Sequence, residues 1–199
     1  MNSISLFDPD FINKADADKL YAALVKLPWS EQSYFTPRGQ FTLPRVFQWM
    51  GIPPQPQPKP GQPFKKKGSI YAGEYFTPIE WTPEALEIQQ RIFEKTGFRF
   101  DSVNINGYRN GKDHIGWHRD DEKEGLWTFP IASVSLGARR TFETTEYGSK
   151  GELPHGSLVV MPAGSQAIFK HRLRAATKQQ AQDSRVNLTF RMMTKAACS

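Results

Sequence analysis

The 199-residue sequence predicts an α+β fold, mostly β, with helices packed on a β-sandwich or jelly roll. Three observations carry this prediction. Two stretches within the first 97 residues have helical periodicity. From Phe98 onward, apolar residues come in short runs separated by turn signals. One of these runs, RVNLTFR at 185–191, alternates strictly between apolar and polar. Helices first and closely spaced short strands afterwards suit one helical layer on a two-sheet core.

The first helix is expected over 15–27, where Leu20, Leu24 and Leu27 share a face, Asp16 and Asp18 favour the N-terminal end, and Pro28 closes the run. Residues 29–51 read as strands and loops. The segment 52–68, IPPQPQPKPGQPFKKKG, is rich in proline and ends in a lysine run, so it reads as an extended surface loop. The second helix starts after Thr82, a suitable N-cap, with Pro83 at its first position and Glu84 in its first turn. Ala85, Ile88 and Ile92 form its buried stripe, and Gly97 stops it. Residues 133–137 and 157–161 read as core strands. After the PAGS turn at 162–165, QAIFKHRL reads as a further strand. In the last strand Val186, Leu188 and Phe190 fall on one face, with Arg185, Asn187, Thr189 and Arg191 on the other.

Composition narrows the class of protein. Twenty-six Lys and Arg against 20 Asp and Glu leave a net charge of +6, which suits a polyanionic partner such as nucleic acid. The single cysteine, Cys198, rules out an intramolecular disulfide. The opening MNSISLFDPDF lacks a basic cluster and a long apolar run, so no secretory signal is expected. No stretch approaches the roughly 18 apolar residues that span a membrane. A cytoplasmic monomer without membrane contact is the expectation.

The chain has four histidines, at 114, 118, 155 and 171. His118 and Asp120 form an H-x-D pair whose side chains, on an extended chain, point to the same side. His171 follows 51 residues after Asp120 and ends the alternating set Ala167, Phe169, His171. Two imidazoles and one carboxylate make a facial triad with open positions, suited to iron(II), although catalytic zinc takes the same donors. Arg185 and Arg191 lie six residues apart and so share a strand face. Such a face is either a polar outer surface or a pair of guanidiniums binding a dicarboxylate held on the metal.

Five ordered motifs resemble the AlkB family of nucleic-acid oxygenases, its repair members in particular. They are Asn106-Gly-Tyr108 followed by DHIGWHRDDE at 113–122, IASVSLG at 131–137, HGSLVVM at 155–161, His171, and RVNLTFR at 185–191. The match is good over 98–191 and loose over 28–97. It implies a double-stranded β-helix (jelly roll) core at 98–199, with 1–97 supplying helices on one sheet and a substrate-recognition region, all in one structural domain. It also implies an Fe(II)/2-oxoglutarate-dependent dioxygenase, with iron on His118, Asp120 and His171 and 2-oxoglutarate met by Arg185, Arg191, Asn106 and Tyr108. The implied reaction is oxidative demethylation of alkylated DNA or RNA with dioxygen, releasing succinate, carbon dioxide and formaldehyde.

Such an enzyme needs its base flipped out or single-stranded. The resemblance places Tyr71 and Ala72 near the base pocket, and Asp121 and Glu122 are candidates for contacts to the base edge. Val46 and Phe47 form an apolar pair readable as an intercalating wedge or as a buried strand. Arg45, Lys65, Lys66, Lys67, Arg172 and Arg174 are candidate phosphate contacts. Two other readings stay open: an oxygenase of this fold acting on a protein or small molecule, and a metal-containing module that only binds nucleic acid.

Overall fold

The computed structural model describes residues 4–36, 39–53, 76–120, 129–146, 150–178 and 183–193. Its strands are β1 (Leu6–Asp8), β2 (Ser30–Thr36), β3 (Gly39–Gly51), β4 (Ser102–Tyr108), β5 (Ile115–His118), β6 (Ile131–Gly137), β7 (Arg140–Thr144), β8 (Lys150–Leu153), β9 (Ser157–Met161), β10 (His171–Leu173) and β11 (Arg185–Arg191). Its helices are α1 (Lys14–Leu24), α2 (Pro83–Thr96) and α3 (Ser165–Ile168). The strands form a seven-stranded sheet, β1-β9-β6-β11-β4-β3-β2, and a four-stranded sheet, β5-β10-β7-β8, with every paired strand antiparallel. This is the jelly-roll arrangement expected from the later strands. Strand β3, from the N-terminal part of the chain, joins the large sheet by pairing with β4 from Val46↔Gly107 to Gly51↔Ser102.

Strand alternation divides the interior in two. Val103 and Ile105 of β4, Val134 and Leu136 of β6, Leu158 and Val160 of β9, and Val186, Leu188 and Phe190 of β11 pack with Leu20 and Leu24 of α1 and Ile88 and Ile92 of α2. The opposite face of the large sheet looks toward the small sheet. There Tyr108, Ile131, Val159 and Met161 meet Leu153, Phe169 and Leu173 in a second apolar cluster. The rest of that inner space is polar and holds the site. Strand β11 is buried on both faces because it sits between β4 and β6, with helices on one side and the small sheet on the other. The polar side of RVNLTFR is therefore an interior surface and not an outer one.

Helix α2 runs as its end signals require. The Thr82 hydroxyl accepts from the Ala85 N–H, Pro83 opens the helix, and Gly97 closes it at φ +74°. Helix α1 starts at its Asn13 cap, whose Oδ1 accepts from the Asp16 N–H at 3.0 Å, and stops at Leu24, short of the expected Leu27. The chain tightens there into turns in which Lys26 N donates to Ala23 O and Leu27 N to Leu24 O. The Trp29 indole N–H satisfies the Val25 carbonyl at 2.9 Å, so the helix ends before Pro28 can force it.

The expected QAIFKHRL strand is corrected. Gly164, at φ +79°, turns the chain into the one-turn helix α3; the backbone is extended again at Phe169, and strand pairing starts at His171. The alternation of Ala167, Phe169 and His171 does not mark a strand face. The wedge reading of Val46 and Phe47 is corrected as well. Both are buried in β3, which is hydrogen-bonded to β2 on one side and β4 on the other. They project to opposite faces, Val46 toward Trp29 and Phe47 onto the Phe76 ring at 5.5 Å, and cannot enter a base step together.

Candidate metal centre and cosubstrate pocket

His118 ends β5 and His171 begins β10, and the two stand directly opposite in the β5–β10 ladder. Asp120 lies two residues beyond β5, past the end of the extended chain assumed from the H-x-D spacing. The imidazole centroids are 4.2 Å apart. His118 Nε2 is 3.6 Å from Asp120 Oδ1, and His171 Nε2 is 3.5 Å from Asp120 Oδ2. The three ligand atoms all lie within 4.8 Å of one another. Donors on adjacent corners of an octahedron with bonds near 2.1 Å are roughly 3 Å apart, so small shifts would close this set on one ion. His118 Nδ1 lies 2.8 Å from the Gly116 carbonyl and donates to it, which leaves the Nε2 lone pair for a metal.

Electrostatics keeps the donors in their ligating forms. Burial, reinforced by His171, pushes His118 down to about 4, so it is neutral through the physiological range. Burial acts to raise Asp120, but the Arg191 guanidinium, with Nη2 at 2.9 Å, and the two imidazoles overcome it and hold the carboxyl well below the usual carboxylate range. Because the folded His118 resists a proton that the unfolded chain accepts near its ordinary 6.5, metal-free stability is unaffected above that pH and falls as pH drops from 6.5 toward 4. The melting temperature of metal-free protein is expected to decline across this window, and His118→Gln should flatten the decline. An equal slope in native and variant would contradict this.

Facing the triad, β4 and β11 line the large-sheet wall. Asn106 and Tyr108 point inward from β4 and Arg185, Asn187, Thr189 and Arg191 from β11, around a cavity that the triad also lines. Arg185 is 1% exposed. Its Nη2 donates to Ser135 Oγ and Asn187 Oδ1, each at 2.7 Å, and its guanidinium lies 5.3 Å from the Tyr108 ring centroid. Its Nε and Nη1 have no hydrogen-bond partner among the described residues. Burial, against the opposing pull of Tyr108, lowers Arg185 to about 10. A buried guanidinium with two unpartnered nitrogens and no carboxylate beside it among the described residues is a receptor for an anionic oxygen. The pocket thus fits a chelated dicarboxylate beside the triad: donors for a divalent ion on one wall, cations for the acid on the other. Burial also raises the Tyr108 hydroxyl, which stays protonated and able to donate.

Arg45 is corrected: it is not a surface phosphate contact but is 8% exposed in the pocket wall, with Nε donating to Asn106 Oδ1 at 2.9 Å. The signal that could have placed it was its even spacing to Phe47 and Trp49, which share its face of β3. Arg172 and Arg174 both pair with Glu143, at 2.6 and 3.2 Å, and Arg172 also lies 4.5 Å over the exposed Trp117 ring. Tyr71, Ala72, Lys65, Lys66, Lys67, Asp121 and Glu122 lie outside the described residues, as does the loop beyond Pro53. Sequence reasoning also missed Gln166, whose Oε1 accepts from the Asp120 N–H at 2.9 Å. The strand-like alternation of QAIFKHRL masks it.

Two facing sheets, a two-histidine, one-carboxylate cluster between them, and an anion receptor opposite it define a non-haem iron oxygenase that uses an acidic cosubstrate. The family model described as the 2OG-Fe(II) oxygenase superfamily matches residues 6–191. DNA oxidative demethylase ALKBH2 of Mus musculus is 36% identical, the match covering 89% of this chain and 75% of that protein. The Homo sapiens protein of the same name is 36% identical over 92% of this chain and 71% of that protein. Alpha-ketoglutarate-dependent dioxygenase alkB homolog 3 of Rattus norvegicus is 31% identical over 92% of this chain and 62% of its own length. A solved structure of OsALKBH1 shares the fold, with a TM-score of 0.65 at 15% identity, over 96% of this chain and 99% of that one. The chain belongs to the 2OG-Fe(II) oxygenase superfamily and, within it, to the AlkB family. It is an Fe(II)/2-oxoglutarate-dependent dioxygenase, with dioxygen as the second cosubstrate.

Proposed function

We propose that this enzyme removes N-linked alkyl groups from bases in DNA by oxidation, the direct reversal of alkylation damage. The observation that carries the reading is the match, along about nine-tenths of the chain, to relatives named DNA oxidative demethylase. The net charge of +6 agrees with a polyanionic substrate.

His118, Asp120 and His171 would hold the iron. Arg185 and Arg191, with Asn106 and Tyr108, would hold 2-oxoglutarate. When bound, iron with 2-oxoglutarate and dioxygen supplies the oxidising power for hydroxylating an unactivated carbon, with succinate and carbon dioxide as by-products. The chain's own part is placement. Arg185 and Arg191 fix the acid against the large-sheet wall, and the protonated Tyr108 hydroxyl offers a donor beside it. The apolar cluster of Ile131, Val159, Met161 and Leu173 keeps one end of the space dry. A hydroxylated N-methyl group then leaves as formaldehyde and restores the base. Tyr71, Ala72, Asp121 and Glu122 are our candidates for contacting that base.

The test is formaldehyde and succinate release with methylated and unmethylated oligonucleotides, DNA and RNA, single- and double-stranded, with mass spectrometry of the bases. Methylated DNA should stimulate turnover and lose its methyl groups, while unmethylated DNA should not. Stimulation by methylated RNA alone would move the substrate to RNA. No response to any nucleic acid would overturn the reading in favour of a protein or small-molecule substrate.

A further inference from the structure

We propose that Gln166 is a positioning residue for the iron-binding carboxylate, acting through the backbone of Asp120; the proposal rests on the assignment of iron to the triad. Of the three ligands, Asp120 alone lies outside a strand. Strand β5 ends at His118, which faces His171, the first residue of β10, so the ladder stops before Asp120. Its backbone N–H is instead held by Gln166 Oε1 at 2.9 Å, across 46 residues of sequence.

The Gln166 amide can serve this purpose in only one orientation. Its Nε2 donates to Ser165 Oγ at 3.2 Å and toward Met161 Sδ at 3.4 Å. Turned over, the amide would set an N–H against the Asp120 N–H and leave both groups unsatisfied. The side chain is 1% exposed and lies beside the apolar cluster, where an unbonded amide is costly. Packing alone would be served as well by methionine or leucine. What an apolar side chain cannot supply is the acceptor for Asp120.

The bond matters because the Asp120 carboxylate has competing partners. Oδ1 is 2.9 Å from Arg191 Nη2 and 3.6 Å from His118, while Oδ2 is 3.5 Å from His171. A backbone free to rotate would let the carboxylate turn wholly toward Arg191, a stronger partner than a neutral imidazole, and away from the ion. Fixing the Asp120 N–H limits where its side chain starts and keeps oxygen facing both histidines. Gln166 sits in α3, five residues before His171, which the β5–β10–β7 pairing holds independently.

The test is Mn(II) binding to metal-free protein, followed by the electron paramagnetic resonance signal of free and bound ion, so that it does not depend on turnover. Gln166→Met should weaken Mn(II) binding by about 10- to 100-fold, the range for groups that orient a ligand. It should also change the bound-ion spectrum. Gln166→Glu keeps an acceptor oxygen at the same reach and should restore most of the affinity. If Gln166→Met does not fold, Gln166→Asn, one methylene too short for Asp120, takes its place with the same expectation. Native affinity in the Met or Asn variant overturns the proposal. So does an equal loss with Glu, since the acceptor would then be irrelevant. A native chain that binds no Mn(II) would remove the triad assignment itself, and an His171→Ala control, expected to bind none, separates the two failures.

Discussion

His171→Ala is expected to lower formaldehyde release by at least about a thousandfold, some 4 kcal/mol of barrier at about 1.4 kcal/mol per decade. It should also abolish Mn(II) binding by the metal-free protein. His171 is buried, faces His118 across the ladder and brings Nε2 to 3.5 Å from Asp120 Oδ2. Without it, two donors remain on neighbouring corners, and a two-ligand site does not hold a divalent ion against water. The change is also clean structurally. His171 sits in the small sheet, away from the helix-packed core, so the far-ultraviolet circular dichroism should be unchanged. Residual turnover above a tenth of native would mean that the third ligand has been misassigned.

Arg185→Met is expected to move function and stability in opposite directions. The native guanidinium is 1% exposed, has two N–H groups without partners among the described residues, and is lowered to about 10 by burial. Breaking a buried ion pair costs on the order of 3–5 kcal/mol. The apparent KM for 2-oxoglutarate should therefore rise by roughly 10² to several 10³-fold, at about 1.4 kcal/mol per decade. Without cosubstrate, however, the buried charge burdens the fold, a cost only partly offset by the Nη2 bonds to Ser135 Oγ and Asn187 Oδ1, so methionine of similar length should leave the melting temperature unchanged or raise it. Saturating 2-oxoglutarate should stabilise native protein and not the variant. An unchanged KM would show that the acid binds elsewhere. Arg191 is a poorer probe, because its loss also strips Asp120 of its counter-charge at 2.9 Å and so mixes metal and cosubstrate effects.

Much of this was legible in the sequence, for particular physical reasons. The alternation in 185–191 put both arginines on one face, because a strand pointing one residue inward must point the next outward. Thr82, Pro83 and Gly97 marked α2 through local backbone chemistry that needs no tertiary context. The misreadings occurred where local pattern underdetermines the result. Ala167, Phe169 and His171 alternate like a strand, but Gly164 at positive φ turns the chain into a helical turn. Val46 and Phe47 read equally well as an exposed wedge or a central strand, and only pairing to β4 distinguishes them. Arg45 looked like a surface cation because its partner, Asn106, is 61 residues away. Gln166 carried no signal at all, since its function lies in one hydrogen bond to a distant backbone.

The division of the site between the sheets has a dynamic consequence. Two metal ligands ride on the short, slipped β5–β10 pair, whereas the two arginines proposed to hold the cosubstrate ride on β11, paired along its whole length. The Arg191–Asp120 contact joins the two halves directly. Iron and 2-oxoglutarate, bound together, would rivet a loosely hemmed edge to a stiff plate. Amide exchange should therefore slow on loading at residues 115–120 and 171–173 and stay nearly constant at 103–107 and 186–190, because linkage adds protection only where local opening releases the ligand. Seen this way, the small sheet is a latch whose closed position is set by its cargo, and the large sheet is the frame that waits for it.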